Sequence, residues 1–343
     1  MREALDVSRL VRRSTSPNPW VGSVVVDTGG RVAGRGATEP PGGRHAEVVA
    51  LDEAGERARG GVLYSTLEPC SHYGRTPPCA ERAIAAGVRR VVAGTLDPDP
   101  NVSGAGVAIL EAAGVQTVVG VLLADVEDLL RPYLVHRRSG RPFVVLKLAA
   151  TLDGRLAAPD GSSRWITGPE ARRDVHELRA DSDAVLVGAG TVRADDPELT
   201  VRSEDGELAT ARQPMRVVLG RAAVEARVMP ALEISGDLRG VLDELGRLGV
   251  LQLLVEGGAH VAGEFHRLAL VDRYVLYLAP GLLGGDDGVP MFAVPGAPTI
   301  AKAWRGEIVG LRRLGGDIRV DLERPRSGDG SPADASGVLA HDQ

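Results

Sequence analysis

Apolar and polar positions along this 343-residue chain fall into blocks whose period changes from one block to the next. Val21–Val26 and Arg31–Gly36 are two short apolar runs flanking Asp27-Thr28-Gly29-Gly30, the pattern of two strands joined by a hairpin-type turn. Ala46–Ala58 carries apolar residues at helical spacing and stops at Gly60-Gly61. Strand Val62–Leu67, helix Ala80–Ala86, strand Val88–Ala93, helix Val107–Ala113 and strand Val115–Val121 then alternate. This alternation predicts a largely parallel sheet with helices on both faces. Asp125–Arg138 reads as a helix broken by Pro132 and ended by Ser139-Gly140.

A second series follows: strand Phe143–Ala149, helix Pro169–Ala180, strands Ala184–Val187, Arg216–Leu219 and Leu251–Val255, helix His260–Leu268 and strand Arg273–Leu278. Two late extended runs, Ile308–Leu311 and Ile318–Leu322, have no helix between them, which predicts an antiparallel edge on a mostly parallel sheet. The pattern places one domain at residues 1–140 and a second at 141–326. Residues 327–343, small and polar, are expected to be a disordered tail.

Composition narrows the class. With 43% hydrophobic residues there is enough aliphatic material for two cores. Acidic residues number 46 and basic residues 40, so the net charge is −6, and only 3% of residues are aromatic. Both facts argue against a nucleic-acid partner, which needs cations for phosphates and rings for stacked bases. The first ten residues carry Arg2, Glu3, Asp6 and Arg9 and have no apolar core of a secretory signal. No run approaches the roughly 18 apolar residues of a membrane span. Two cysteines, Cys70 and Cys79, are too few for a disulfide scaffold. A cytoplasmic protein with no membrane partner is the expectation, and thiol or metal chemistry the use of its cysteines.

His45-Ala46-Glu47 opens a predicted helix, and Pro69-Cys70 and Cys79 follow about one strand-helix unit later. A catalytic zinc needs three protein ligands and an open position, and one imidazole with two thiolates suits zinc. Glu47, two residues beyond the histidine, then stands where nucleobase deaminases keep their proton shuttle. The cysteines are separated by eight residues, against two in the usual deaminase signature. Two other readings share these residues: a nucleic-acid deaminase, and a structural zinc site with His72 as a fourth ligand.

Pro17-Asn18-Pro19-Trp20-Val21-Gly22, His45-Ala46-Glu47, and Glu68-Pro69-Cys70 through Gly74-Arg75-Thr76-Pro77-Pro78-Cys79 resemble the bifunctional riboflavin-biosynthesis deaminase/reductase family. The resemblance resumes at Asp97-Pro98 and covers roughly residues 5–325. It implies an α/β protein with an N-terminal cytidine-deaminase-like three-layer domain and a C-terminal dihydrofolate-reductase-like domain. It also implies zinc in the first and NADPH in the second, a small-molecule phosphoribosyl pyrimidine substrate and a homo-oligomer, dimer or tetramer. Asn18 and His72 would hold substrate near the metal. In the second half the resemblance runs through Leu146–Arg155, Ser163–Thr167, Ala194–Arg202 and Glu256-Gly257-Gly258. By it, Ala149, Trp165, Thr191, Asp195 and Gly258 would face the cofactor, and Lys147, Ser163, Arg179, Leu199, Arg202 and Glu256 the substrate. The two arginines suit a phosphate.

Two departures stand in this half. Gly220-Arg221 replaces the family's usual Asp-Ser, leaving Arg221 as a candidate partner for a cofactor phosphate. Val228–Gly240 is short by about one strand. The alternative reading is therefore a deaminase whose second domain binds nucleotide or substrate without reducing it.

Overall fold

In a computed structural model of the chain, residues 1–73, 77–100, 102–203, 205–209 and 212–325 are described. The expected tail at 327–343 and the Gly74-Arg75-Thr76 segment lie outside them. The chain divides into two compact units, Met1–Pro142 with Leu245–Leu251, and Phe143–Glu244 with Gln252–Gln343. Among the described residues no helix is long and apolar enough to cross a membrane.

The first unit runs α1 (Arg2–Val11), β1 (Gly22–Val26), β2 (Val32–Ala37), α2 (Ala46–Ala54), β3 (Val62–Leu67), α3 (Cys79–Ala85), β4 (Arg90–Thr95), α4 (Ala105–Ala112), β5 (Gln116–Val119) and α5 (Leu123–Ser139). Its five strands lie in the order β2-β1-β3-β4-β5. The sheet is mixed, not largely parallel: β1 is antiparallel to both neighbours, and only β3, β4 and β5 run together. The reason is the opening hairpin, after which α2 returns the chain on the far side of β1 and opposite to it. One face packs Leu51, Ala54, Ala80, Ala83 and Leu110 against Val25, Leu63 and Val91. A separate cluster joins Leu5, Trp20 and Val21 to Val126, Leu129, Leu130 and Tyr133 of α5. Helices thus cover both faces, giving three layers.

Pro132 does not break α5, which continues for 17 residues. A proline inside a helix costs one backbone hydrogen bond and about 3 kcal/mol. Burial of Val126, Leu129, Leu130, Tyr133 and Leu134 on the same helix offsets it. The chain end also forms α1, which buries Ala4, Leu5 and Ser8 although four of its ten residues are charged.

The second unit runs β6 (Phe143–Thr151), β7 (Arg155–Ala157), α6 (Pro169–Ala180), β8 (Ala184–Gly188), α7 (Ala189–Asp195), β9 (Met215–Leu219), β10 (Leu232–Ile234), α8 (Leu238–Arg247), β11 (Gln252–Val255), α9 (Ala259–Arg267), β12 (Arg273–Ala279), β13 (Val289–Pro290), β14 (Glu307–Leu314) and β15 (Asp317–Glu323). Its large sheet has the order β10-β9-β8-β11-β6-β12-β15-β14. The strands from β10 to β12 are parallel, and β15 and β14 close the sheet antiparallel, as the helix-free end of the sequence predicts. The edge strand expected to be missing is present: β10 is three residues long and pairs parallel with β9. Its brevity and lack of alternation hide it from a pattern search.

One close approach fixes the helix that opens with His45. A Cβ on Gly36 of β2 would lie 2.1 Å from the Ala46 carbonyl oxygen and 2.5 Å from the Ala50 nitrogen. Gly34 meets the next turn of α2 in the same way, 2.2 Å from the Ala50 oxygen. Glycine at both positions lets helix and strand pack backbone to backbone. Gly36→Ala is expected to lower the stability of the first unit by about 1–3 kcal/mol through overpacking, read as a lower urea midpoint.

Candidate functional site

Chemistry in the first unit collects at the starts of two helices. His45 is the N-cap of α2, Glu47 lies in its first turn, Cys79 opens α3, and Cys70 sits three residues beyond the end of β3. The nitrogen and two sulfurs lie within 4.8 Å of one another, with His45 Nδ1 3.5 Å from Cys70 Sγ and 3.3 Å from Cys79 Sγ. A thiolate and an imidazole on one tetrahedral zinc would stand about 3.5 Å apart, given bonds of about 2.3 and 2.1 Å, so the donors fit that ion.

Their electrostatics agree. Hydrogen bonding from Cys79, with His45 alongside, holds the Cys70 thiol down at about 4. The Cys70 contact pushes His45 up to about 9 against the effect of burial. Cys79 goes the other way, raised by its hydrogen bond to the Cys70 sulfur and by burial. The three donors by themselves hold positive charge at their centre, the place a metal ion takes when it displaces protons. Glu47 is 4% exposed, and burial together with the Cys70 charge pushes its carboxyl up to about 7. A carboxyl near neutrality can both accept and return a proton.

The second unit holds a cavity of about 560 Å³ above the ends of its parallel strands. Ligands of open α/β sheets bind at this edge. Lys147 and Ala149 reach it from β6, Thr191 and Asp195 from α7, and Glu256, Gly257 and Gly258 from the turn after β11. Arg172, His176 and Arg179 line it from one face of α6, at the three- and four-residue spacing that aligns helical side chains. That helix is anchored from behind. Asp317 accepts the Gly168 N–H at its N-cap (2.7 Å), and Asp174 accepts hydrogen bonds from Tyr277 Oη and Arg319 (both 2.6 Å) and from Arg312 (3.0 Å).

Glu256 is the electrostatic centre of the cavity. Arg179 grips it with two nitrogens, at 2.6 and 3.1 Å, and Lys147 Nζ stands 3.7 Å away. Burial alone would raise this carboxyl, but Arg179 and Lys147 outweigh it and hold it at about 2. The same burial pushes Lys147 down. Two cations on one anion leave positive charge facing the cavity, suited to a phosphate or a polarised oxygen. Beyond it Asp196 (φ 42°) and Leu199 (φ 56°) occupy the left-handed region, which non-glycine residues enter at a cost of about 1–3 kcal/mol. The Arg227 N–H to Asp196 Oδ1 (2.9 Å) and the ion pairs of Glu198 with Arg202 and Arg227 hold this turn in place.

Residues 1–95 match the cytidine and deoxycytidylate deaminase zinc-binding region, and residues 142–320 match the RibD C-terminal domain. The riboflavin biosynthesis protein RibD of Mycobacterium tuberculosis H37Rv is 44% identical, over 93% of this chain and 95% of that protein. The chain belongs to the RibD family. RibD of Escherichia coli K12 is 40% identical over 94% of this chain and 98% of its own length. A solved structure of Acinetobacter baumannii RibD superposes with a TM-score of 0.88 at 36% identity, covering 95% of this chain and 98% of that one. The Thermotoga maritima diaminohydroxyphosphoribosylaminopyrimidine deaminase/5-amino-6-(5-phosphoribosylamino)uracil reductase gives 0.84 at 34%, covering 95% and 97%. This RibD-family chain is accordingly a bifunctional enzyme of riboflavin biosynthesis, a zinc deaminase and an NADPH-dependent reductase.

Of the residues singled out for the RibD reductase half, Lys147, Ala149, Ser163, Trp165, Thr191 and Asp195 line the cavity. So do Arg179, Leu199, Arg202, Glu256 and Gly258. Arg221 is not among the lining groups: its side chain is 86% exposed and pairs with Glu233 at 3.1 Å. The Gly258 N–H donates to Thr191 Oγ1 at 3.1 Å. Asn18 is half-buried in the loop before β1, and His72 is exposed two residues after Cys70. Sequence reasoning missed Arg172, stacked 4.5 Å over the Trp165 ring, and His176, Glu198 and Arg227. For the α6 pair the signal was available in the spacing to Arg179. For Arg227 none was, since its partners Asp196 and Glu198 lie about thirty residues away in the sequence.

Glu256 is held below the ordinary carboxylate value, so its contribution to stability is complete above pH 4.5 and is lost as pH falls toward 2. That depression corresponds to about 3 kcal/mol as an upper bound. The gap in urea midpoint between the wild type and Glu256→Gln should therefore narrow steadily from pH 5 to pH 2.5. A constant gap would show that the pair does not titrate in that window.

Proposed function

We propose that His45, Cys70 and Cys79 hold the zinc of the first half, with residues 1–140 as the deaminase domain and 141–326 as the reductase domain. The substrate is 2,5-diamino-6-(5-phosphoribosylamino)pyrimidin-4-one, whose ring amine leaves as ammonia, and the second half reduces the ribosyl group of the product to ribityl. The observation that carries this reading is the convergence of one imidazole and two thiol groups in the same unit as a buried carboxyl near neutrality. Likeness to the T. maritima deaminase/reductase along nearly the whole chain supports the substrate.

When bound, zinc supplies a Lewis acid that makes water a nucleophile at neutral pH. Glu47 takes a proton from the attacking water and returns it to the departing amine. Asn18 and His72 hold the substrate. When bound, NADPH supplies the hydride. Lys147, Arg179 and Glu256 bind and polarise the sugar end, Ser163, Leu199 and Arg202 complete the substrate side, and Ala149, Trp165, Thr191, Asp195 and Gly258 face the nicotinamide nucleotide. Arg221 serves as a peripheral phosphate partner once it leaves Glu233. The reading of the second half as a binder only loses one of its two motives, since the edge strand β10 is in place.

One coupled assay tests the assignment. Glu47→Gln should cut ammonia release about 10²–10⁴-fold. It should keep its zinc and oxidise NADPH at the wild-type rate when given the deaminated product. Ammonia release at the wild-type rate would remove Glu47 from the chemistry.

The enzyme works in the cytoplasm as a homo-oligomer, a dimer or tetramer, with neither nucleic acid nor membrane as a partner. The edge strand β14 supports self-association: Ile308 is 64% and Leu311 67% exposed, beside unpaired backbone groups on the outer side of the sheet. Monomeric proteins rarely leave such an edge unguarded. The double variant Ile308→Asp/Leu311→Asp should run as a monomer in light scattering while keeping full deaminase activity.

A further inference from the structure

Glu68 follows β3 directly and precedes Pro69-Cys70, and it is 2% exposed. Its carboxylate accepts three backbone hydrogen bonds: Oε2 from the N–H groups of Asp97 (3.2 Å) and Gly104 (3.0 Å), Oε1 from that of Val107 (3.1 Å). Asp97 lies just past β4, and Gly104 and Val107 belong to the N-terminus of α4, whose own N-cap is a glycine without a side chain to offer. Glu68 thus caps a helix that lies nearly forty residues further along the chain. The helix dipole and three N–H donors in turn satisfy the buried acid.

The same helix start presses on the ligand-bearing peptide. A Cβ on Gly106 would come within 1.9 Å of the Pro69 carbonyl oxygen. On its other side Cys70 is held by the first turn of α3, through the Cys79 N–H to its sulfur and the Ala80 N–H to its carbonyl oxygen, both 3.2 Å. The Pro69-Cys70 peptide is clamped between two helix starts, and the Glu68 side chain ties one of them to the end of β3. Metal ligands must be held to about 0.5 Å to work, and their supporting groups supply that precision.

We propose that Glu68 is a positioning residue for the metal centre, fixing Cys70 by locking the start of α4 against the end of β3. It touches neither metal nor substrate. The inference rests on the zinc reading of His45, Cys70 and Cys79, and the experiment separates the two.

Glutamine at this position would turn an N–H₂ group toward at least one of the three backbone donors, and aspartate would fall one methylene short of α4. Zinc affinity is measured on the full chain by competition with a chromophoric chelator, alongside the visible spectrum of the Co²⁺-loaded protein. Glu68→Gln and Glu68→Asp are each expected to bind zinc roughly 10–100-fold more weakly and to shift the Co²⁺ bands. NADPH oxidation by the reductase half should stay unchanged. A residue that merely stabilises the fold would lower Tm yet leave the affinity and the spectrum of the folded protein at wild-type values, and that result overturns the proposal. Failure of both variants to fold overturns it as well. A wild type that takes up no zinc defeats the underlying metal reading, whereas zinc-loaded wild type with unaltered variants defeats the role of Glu68 alone.

Discussion

Three donor atoms from segments up to 34 residues apart have to meet within 4.8 Å of one another, and the architecture of the first unit follows from that demand. Helix starts are the natural place for it, because free N–H groups and the positive end of the dipole favour thiolates. α2 must then lie closer to the hairpin than any side chain would permit, which is why β2 carries glycine at 34 and 36. α3 must begin on a cysteine with its N–H aimed at the other sulfur, which it does at 3.2 Å. Each local choice would be a liability elsewhere. Glycine weakens a strand, and a buried glutamate beside a buried thiol raises the cost of folding without a metal.

The second unit solves a related problem with opposite sign. Its centre is one buried carboxylate, Glu256, that organises two cations around a cavity. Breaking a buried ion pair leaves an uncompensated charge, so the arrangement tolerates no partial loss. This explains the support behind it. α6, which carries Arg179, is tied through Asp174 and its N-cap to the antiparallel end of the sheet. β15 thus orients a helix that faces a cavity it does not itself line.

Much of this was legible because the signals are local. Helical periodicity marks α6 at Pro169–Ala180, residue for residue, and the order His45, Glu47, Cys70, Cys79 points to one chemistry. What escaped depends on pairing or packing across long separations. The mixed first sheet arises from where α2 returns the chain, and the three-residue strand β10 has no pattern of its own. Pro132 obeys its propensity in isolation, and tertiary burial overrides it. Glu68 reads as an ordinary residue before Pro-Cys until β4 and α4 are known to lie beside it. Arg227 meets its cavity through contacts with Asp196 and Glu198, about thirty residues earlier in the chain, which no local pattern reveals.

Net charge shows where whole-chain quantities lose their meaning. A value of −6 sets the expectation of a chain that repels polyanions. Yet the cavity of the second unit is lined by six cationic side chains, Lys147, Arg164, Arg172, Arg179, Arg202 and Arg227, against the four carboxylates Asp195, Asp196, Glu198 and Glu256. That local excess of two positive charges suits phosphorylated small molecules, and the pairing of most of those arginines with carboxylates keeps it confined to the cavity. At the three metal donors of the first unit the chemistry differs, since one imidazole nitrogen and two sulfurs converge there and offer lone pairs to a divalent cation. With a Debye length of about 8 Å at physiological salt, a ligand responds to the wall it is touching and not to the sum over the chain. One polypeptide can therefore hold a cation-seeking site and an anion-seeking site, and the overall charge reports neither.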